Sequence, residues 1–289
     1  MKKAVILFNL GGPDKLESVE PFLFNLFNDP AIISIPSIFR YPLAKLISKR
    51  RAPIAKNIYR EIGNKSPILE LTQDQAKSLE NTLSAKGHYK CFVIMRCWYP
   101  RAVDVIKEVK GYNPDEIILL PLYPQYSAST SGSSIKEWND LCRKENYEVK
   151  TKTICCYPTE NNLLQSHANL IKKTIKNLEK KDFKLLFSAH GLPENKIKKG
   201  DPYQWQVEQT VDGIMSKLTK ENPDHIISYQ SRVGPLKWIG PSTDEIIIKY
   251  SKEKKGIVVV PVAFVSEHSE TLVELDIEYK KLAEKNGCS

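Results

Sequence analysis

Short apolar runs alternate with stretches of helical periodicity along the chain. The runs fall at 4–9, 91–96, 116–122, 152–157, 184–189, 226–230 and 256–264. They are rich in Val, Ile, Leu and Phe with little alternation, as expected of strands covered on both faces. Between them, Leu164, Ala168, Ile171, Ile175 and Leu178 recur at helical spacing, as do Val207, Val211, Ile214 and Leu218. Thr72-x-x-Gln75 predicts a capping box opening a helix with Leu79 and Leu83 on one face. Parallel neighbours need crossover helices, so strand–helix–strand alternation predicts an α/β fold of parallel sheets. Seven strands in 289 residues predict two doubly wound sheets rather than one. The polar stretch 136–150 predicts the boundary, dividing the chain into domains 1–145 and 146–289. The dinucleotide fingerprint G-x-G-x-x-G and the phosphate loop G-x-x-x-x-G-K-[ST] are both missing.

Ligands of open α/β sheets bind outside the carboxyl ends of the strands. That rule selects the loops 11–13, 123–126, 188–191 and 266–268. His190 ends one predicted strand, and Gly191-Leu192-Pro193 gives it a sharp exit. A structural or surface histidine and a functional one both fit this position. Glu267, Glu270, Glu274 and Glu278 are spaced 3, 4 and 4, which puts them on one helical face. Leu272, Leu275, Tyr279 and Leu282 form a separate apolar stripe. The acidic row reads either as a solvated face or as a cation path, and histidine with carboxylates suits Fe²⁺ or Zn²⁺. Phe22, Leu23, Leu26 and Phe27, followed by Ile35, Ile38 and Phe39 in a proline-containing loop, read either as core or as an apolar lip. Such a lip would meet a membrane or a flat apolar ligand. The nearby Lys49-Arg50-Arg51 would suit that ligand's carboxylates.

With 41% hydrophobic and 27% charged residues the composition is globular. The net charge of +9 invites a nucleic-acid reading, but basic and acidic residues interleave, so no nucleic acid is expected. An anionic small substrate or membrane surface fits better. No apolar run approaches the ~20 residues that span a bilayer. The apolar N-terminus runs straight into Gly11-Gly12-Pro13, as a first strand would. The cysteines at 91, 97, 142, 155, 156 and 288 form no C-x-x-C pair, so thiols in a reducing cytosol are expected.

The chain closely resembles the ferrochelatases, the terminal enzymes of haem synthesis. The resemblance is carried by Asn9-Leu-Gly-Gly-Pro13, Lys49-Arg-Arg-Ala-Pro53, Tyr59-Arg-Glu-Ile-Gly63 with Ser66-Pro67, and Tyr123-Pro-Gln-Tyr-Ser-Ala-Ser-Thr130. It continues through Phe187-Ser-Ala-His-Gly-Leu-Pro193, Gly200-Asp-Pro-Tyr203, residues 230–245 and residues 261–279, in order over nearly the whole chain. It implies a chelatase-like fold of two Rossmann-like doubly wound parallel sheets facing a porphyrin cleft. The first domain would carry a porphyrin lip and the second the metal site. It implies insertion of Fe²⁺ into protoporphyrin IX, giving protohaem and two protons. His190 matches the family's metal ligand or proton acceptor, and Glu270 its paired carboxylate. The division of labour between those two stays open. Glu267, Glu274 and Glu278 continue the acidic helix, with Glu267 and Glu274 joining the metal set. Arg51, Tyr59 and Ser66 match porphyrin contacts, and Arg96, Tyr123, Trp238 and His268 fall where the family lines its cleft.

No organic cofactor is implied, because iron is a substrate. Ala128 stands where some members carry a cluster-ligating cysteine, so no 2Fe–2S cluster is expected. Leu10 favours the protoporphyrin branch, since the coproporphyrin branch tends to carry tyrosine there. Cys97 replaces a more usual aromatic. Family members usually continue with a further strand and helix, so a chain stopping at Gly287-Cys288-Ser289 is expected to lack them. The expected setting is the cytoplasm, with peripheral contact at the inner membrane face. The alternatives are a coproporphyrin ferrochelatase or related tetrapyrrole metal chelatase, and an inactive porphyrin- or haem-binding protein.

Overall fold

A computed structural model describes residues 1–178, 182–232, 234 and 236–288. Val233, Pro235 and Ser289 of the segments quoted above lie outside them. The chain divides into two compact units. The first comprises Met1–Tyr123, Ser127–Cys156 and Val265–Ser269; the second comprises Pro124–Tyr126, Tyr157–Phe264 and Glu270–Ser289.

The first unit runs β1 (Lys2–Asn9), α1 (Val19–Phe27), α2 (Ser37–Glu61), α3 (Ile68–Leu83), β2 (His88–Met95), α4 (Ala102–Tyr112), β3 (Glu116–Pro121), α5 (Ser131–Lys144) and β4 (Thr151–Thr153). Its sheet has the order β2-β1-β3-β4, every pairing parallel. Successive residues of β1 point to opposite faces, and both faces are covered. Ala4, Ile6 and Phe8 pack with Val105, Ile106 and Val109 of α4 and with Trp138 of α5. Val5 and Leu7 pack with Ala76 of α3. This double coverage is why the strand reads as an uninterrupted apolar run.

The second unit runs α6 (Asn161–Lys176), β5 (Phe183–His190), α7 (Glu194–Lys198), α8 (Tyr203–Ser216), β6 (His225–Gln230), α9 (Thr243–Lys252), β7 (Gly256–Pro261), a π-helical segment (Glu270–Tyr279) and α10 (Lys280–Lys285). Its parallel sheet has the order β6-β5-β7. Leu185, Phe187 and Ala189 of β5 face α6 and α8 through Leu164, Ala168, Val207, Val211 and Ile214. Leu186 faces Ile246, Ile247 and Tyr250 of α9 and Leu275 and Tyr279 of the π-helical segment.

All seven predicted strands are present, in two parallel sheets, but local readings need correction. Of the run 152–157 only Lys152 and Thr153 join a strand, Thr151–Thr153, and it pairs with β3 rather than joining the later strands. Those three residues are exposed, as suits a polar edge strand. The polar stretch 136–150 begins inside α5, whose Trp138 is 1% exposed in the first unit's core. Ile38 and Phe39 lie on α2 rather than in a loop. Thr72 is no cap: α3 begins at Ile68, and the Thr72 hydroxyl donates to the Ile68 carbonyl four residues back.

Candidate active site

In the second unit the chemistry gathers where β5 and β6 end. Parallel register sets His190 opposite Gln230. The glycine after His190 is required by space. A Cβ at Gly191 would fall 2.8 Å from the Gln230 carbonyl oxygen and 3.1 Å from the Trp238 ring. Both neighbours therefore sit against the bare backbone, and a β-bridge between Pro193 and Trp238 keeps the indole there.

His190 Nδ1 lies 2.6 Å from the Gly191 carbonyl oxygen. A carbonyl only accepts, so Nδ1 carries the proton and Nε2 of the neutral ring keeps its lone pair. Nε2 is 3.8 Å from Glu270 Oε1. The other carboxylate oxygen, Glu270 Oε2, is buried and lacks a hydrogen-bond partner among the described residues. An unsatisfied buried carboxylate oxygen is costly unless a proton or cation meets it. Imidazole lone pair and orphan oxygen together make a small basic, cation-attracting centre.

Glu274 is held differently. It accepts from Ser231 N at 3.0 Å, Ser231 Oγ at 2.6 Å, Gln230 Nε2 at 3.2 Å and Tyr279 Oη at 2.9 Å. Burial, reinforced by the nearby Glu270 charge, holds its carboxyl above the usual range, against the opposing donors Ser231 and Tyr279. The contact with Tyr279 depends on π winding. Residues five apart on an α-helix point about 140° away from each other. A π-helix bonds i to i+5 and brings them into line. Gln230 is anchored from below by Ser188 Oγ at 2.7 Å, and Thr243 touches Ser188 and Ser228 at 3.1 and 2.8 Å. Glu274 thus stands on a buried polar column.

Within the second unit, Glu270 and Glu274 of the predicted acidic row join this cluster. Glu278 is exposed, and Glu267 precedes the helix, is exposed and belongs to the first unit. The even spacing assumed one α-helical face, whereas the helix begins after Glu267 and is π-wound. Among the described residues, no three His, Cys, Asp or Glu side chains converge as a metal-holding group.

In the first unit the loop after β1 is pressed against Ser66. Gly11 has φ +86°, and a Cβ on Gly12 would meet Ser66 at 2.5 Å. Ser66 N donates to the Pro13 carbonyl at 2.8 Å. Tyr59 is buried with Val19, Phe22, Leu23 and Cys97. Arg51 is half-exposed, lies 5.9 Å from the Phe27 ring centroid and makes no ion pair among the described residues. Arg96, in contrast, is fully engaged: it meets Asp29 at 2.9 Å, Glu137 at 3.2 Å and Ser133 Oγ at 2.8 Å. Burial raises the Tyr123 hydroxyl far above its ordinary range. His268 is half-buried in the segment Val265–Ser269.

That segment is fastened by residues the sequence did not single out as a site. Asn9 Nδ2 donates to Thr72 Oγ1 at 3.0 Å and reaches Ser266 Oγ at 3.5 Å. Ser266 Oγ donates to Gln75 Oε1 at 3.0 Å, and Gln75 Nε2 donates to the Val265 carbonyl. The Thr72/Gln75 spacing that mimics a capping box is the spacing of a clamp on this loop. The available signal was Asn9, a polar residue ending an otherwise apolar strand.

Comparison with known proteins identifies the family. The Ferrochelatase family model matches residues 2–289. A protein named ferrochelatase from Pelagibacter ubique (strain HTCC1062) is 69% identical over 291 residues, covering 100% of this chain and 84% of the relative. One from Rickettsia felis is 50% identical over 289 residues, covering 99% of this chain and 83% of the relative. Among solved structures, SirB from Bacillus subtilis with Fe³⁺ superposes with a TM-score of 0.51 at 14% identity. It covers 98% of this chain and 84% of that one, and at such identity the likeness speaks for the fold alone. The chain therefore belongs to the ferrochelatase family, the enzymes that insert iron into a porphyrin in haem synthesis.

Proposed function

We propose that the porphyrin is protoporphyrin IX and that His190 and Glu270 act on its metallation by Fe²⁺. The observation that carries this reading is the His190–Glu270 pair: one unprotonated ring nitrogen and one orphan carboxylate oxygen at a strand end. Insertion exchanges two pyrrole N–H protons for one Fe²⁺, so the site needs a base near the pyrrole nitrogens and a means of attracting the cation. His190 Nε2 accepts the two pyrrole protons in turn, each passing from the half-exposed ring to solvent, since Nδ1 is committed to the Gly191 carbonyl. Glu270 offsets the imidazolium charge that results, and its unpartnered oxygen attracts the incoming iron. Glu274, already bound by several donors, contributes negative charge rather than a mobile proton. Arg51 offers an uncommitted guanidinium to a propionate. Tyr59, Ser66, Tyr123, Trp238 and His268 remain assigned to porphyrin contact, Glu267 to the iron path. Arg96, bound by two carboxylates, acts mainly by shaping that wall. Leu10, half-buried beside Phe22 and Tyr59, supports protoporphyrin over its more acidic relatives. No 2Fe–2S cluster or organic cofactor takes part in this reading.

The test is anaerobic incubation with Fe²⁺ and either protoporphyrin IX or coproporphyrin III, followed by porphyrin absorbance. Faster metallation of protoporphyrin IX is expected. Preferred metallation of coproporphyrin III would overturn the substrate assignment.

We also infer that the enzyme works in the cytoplasm and touches the inner membrane face through α2. Ile38, Phe39 and Leu46 are 74%, 64% and 49% exposed, with Lys45, Lys49 and Arg50 exposed on the same helix. Apolar side chains among cations suit an anionic interface. No helix of the described residues is long and apolar enough to cross a membrane. Co-sedimentation with anionic vesicles is expected for the parent and should weaken at least tenfold, on the order of 1.4 kcal/mol, in Ile38→Glu/Phe39→Glu. Equal sedimentation of the two proteins would exclude α2 as the contact.

A further inference from the structure

We propose that Cys155 and Cys156 form a vicinal dithiol site for a soft, thiophilic centre such as trivalent arsenic. Their Sγ atoms are 3.1 Å apart. Cys155 is exposed and Cys156 half-buried, so the pair opens to solvent. It follows β4 at the carboxyl edge of the first unit's sheet, the edge at which open α/β sheets take ligands. Its preceding residue is anchored: Ile154 N donates to the Leu119 carbonyl at 2.9 Å.

The other cysteines are poorly suited to compete. Burial pushes the Cys97 thiol up to about 12 and the Cys91 thiol up to about 11, and raises Cys142 as well. Thiols so placed are inert, because the thiolate is the reacting form. The Cys288 thiol donates to the Lys255 carbonyl at 3.3 Å.

Geometry favours a bridging atom over a direct S–S bond. Consecutive Cα atoms lie about 3.8 Å apart across a trans peptide. Disulfides ordinarily need at least about 4.4 Å, so closing this ring would be strained. A thiophilic atom with bonds of roughly 2.3 Å to each sulfur can span the observed gap by a modest opening at one centre. Soft sulfur ligands select soft partners. With phenylarsine oxide as the probe, two As–S bonds form, and the arsenic-bound oxygen leaves as water with both thiol protons. Nothing is oxidised or reduced. The second bond forms within one molecule, so the chelate resists competition from monothiols.

The experiment treats the full chain with one equivalent of phenylarsine oxide, then measures intact mass and maps the adduct by proteolysis. One adduct per chain is expected, on the peptide carrying 155–156. It should survive 2-mercaptoethanol, be released by dithiothreitol, vanish in Cys155→Ser and persist in Cys288→Ser. An adduct on any other peptide, its retention in Cys155→Ser, or its loss to 2-mercaptoethanol would overturn the proposal. Mapping on the unaltered chain keeps the test decisive even if a variant folds poorly.

Discussion

Replacing His190 by alanine is expected to slow anaerobic iron insertion about 100- to 10,000-fold, the usual worth of a positioned general base. That range corresponds to roughly 3–5 kcal/mol of lost transition-state stabilisation. The argument rests on atoms. Nδ1 is fixed by the Gly191 carbonyl, which leaves Nε2 as the ring's basic atom, 3.8 Å from Glu270 Oε1. Alanine removes the base and the ring nitrogen that lies 3.8 Å from Glu270 Oε1. The fold should survive, because the His190 ring is half-exposed and outside the second unit's apolar core. The loss should therefore appear in kcat, while porphyrin binding, followed by fluorescence quenching, stays close to that of the parent. A variant retaining insertion within about tenfold of the parent would remove His190 from the proton path. One that no longer binds porphyrin would make His190 a binding group instead.

Trp138→Ala is expected to destabilise the first unit by about 3–5 kcal/mol, the range for emptying a large aromatic site in a close-packed core. Trp138 is 1% exposed and meets the Phe8 ring edge-on, with centroids 6.5 Å apart. The same helix carries Ser133 and Glu137, which bind Arg96. A shift of α5 would thus reach Arg96. Denaturant unfolding followed by circular dichroism should show the first unit melting earlier. Trp138→Phe should recover part of the loss by refilling the space. A cost below about 1 kcal/mol in the alanine variant would mean that α5 is not part of the core.

How far the sequence could be read depended on the range of the interactions involved. The strands were legible because burial on both faces leaves a continuous apolar run, visible without knowing any partner. His190 was legible for a related reason: a strand followed by Gly191 and Pro193 has its end marked locally. The acidic row was legible as composition but not as geometry. Its spacing assumes 3.6 residues per turn, and π winding brings Tyr279 onto Glu274 instead while Glu278 stays exposed. Thr72 and Gln75 illustrate the opposite error. Their pattern fits a local cap, yet they bond to Asn9 and Ser266, partners distant in sequence.

The sequence by itself determined the alternation of strands and helices, the parallel sheets, the family, and the residue types at the strand ends. These follow from local periodicity and from motifs long enough to be specific. Only the tertiary structure decided which sheet takes Thr151–Thr153, that α5 is core, and which acids stand beside His190. It also decided that one oxygen of Glu270 has no hydrogen-bond partner among the described residues, while Glu274 accepts from several donors. The physical reason is the same in each case. Hydrogen-bond satisfaction and burial are properties of groups brought together from distant parts of the chain, and no spacing within one segment encodes them.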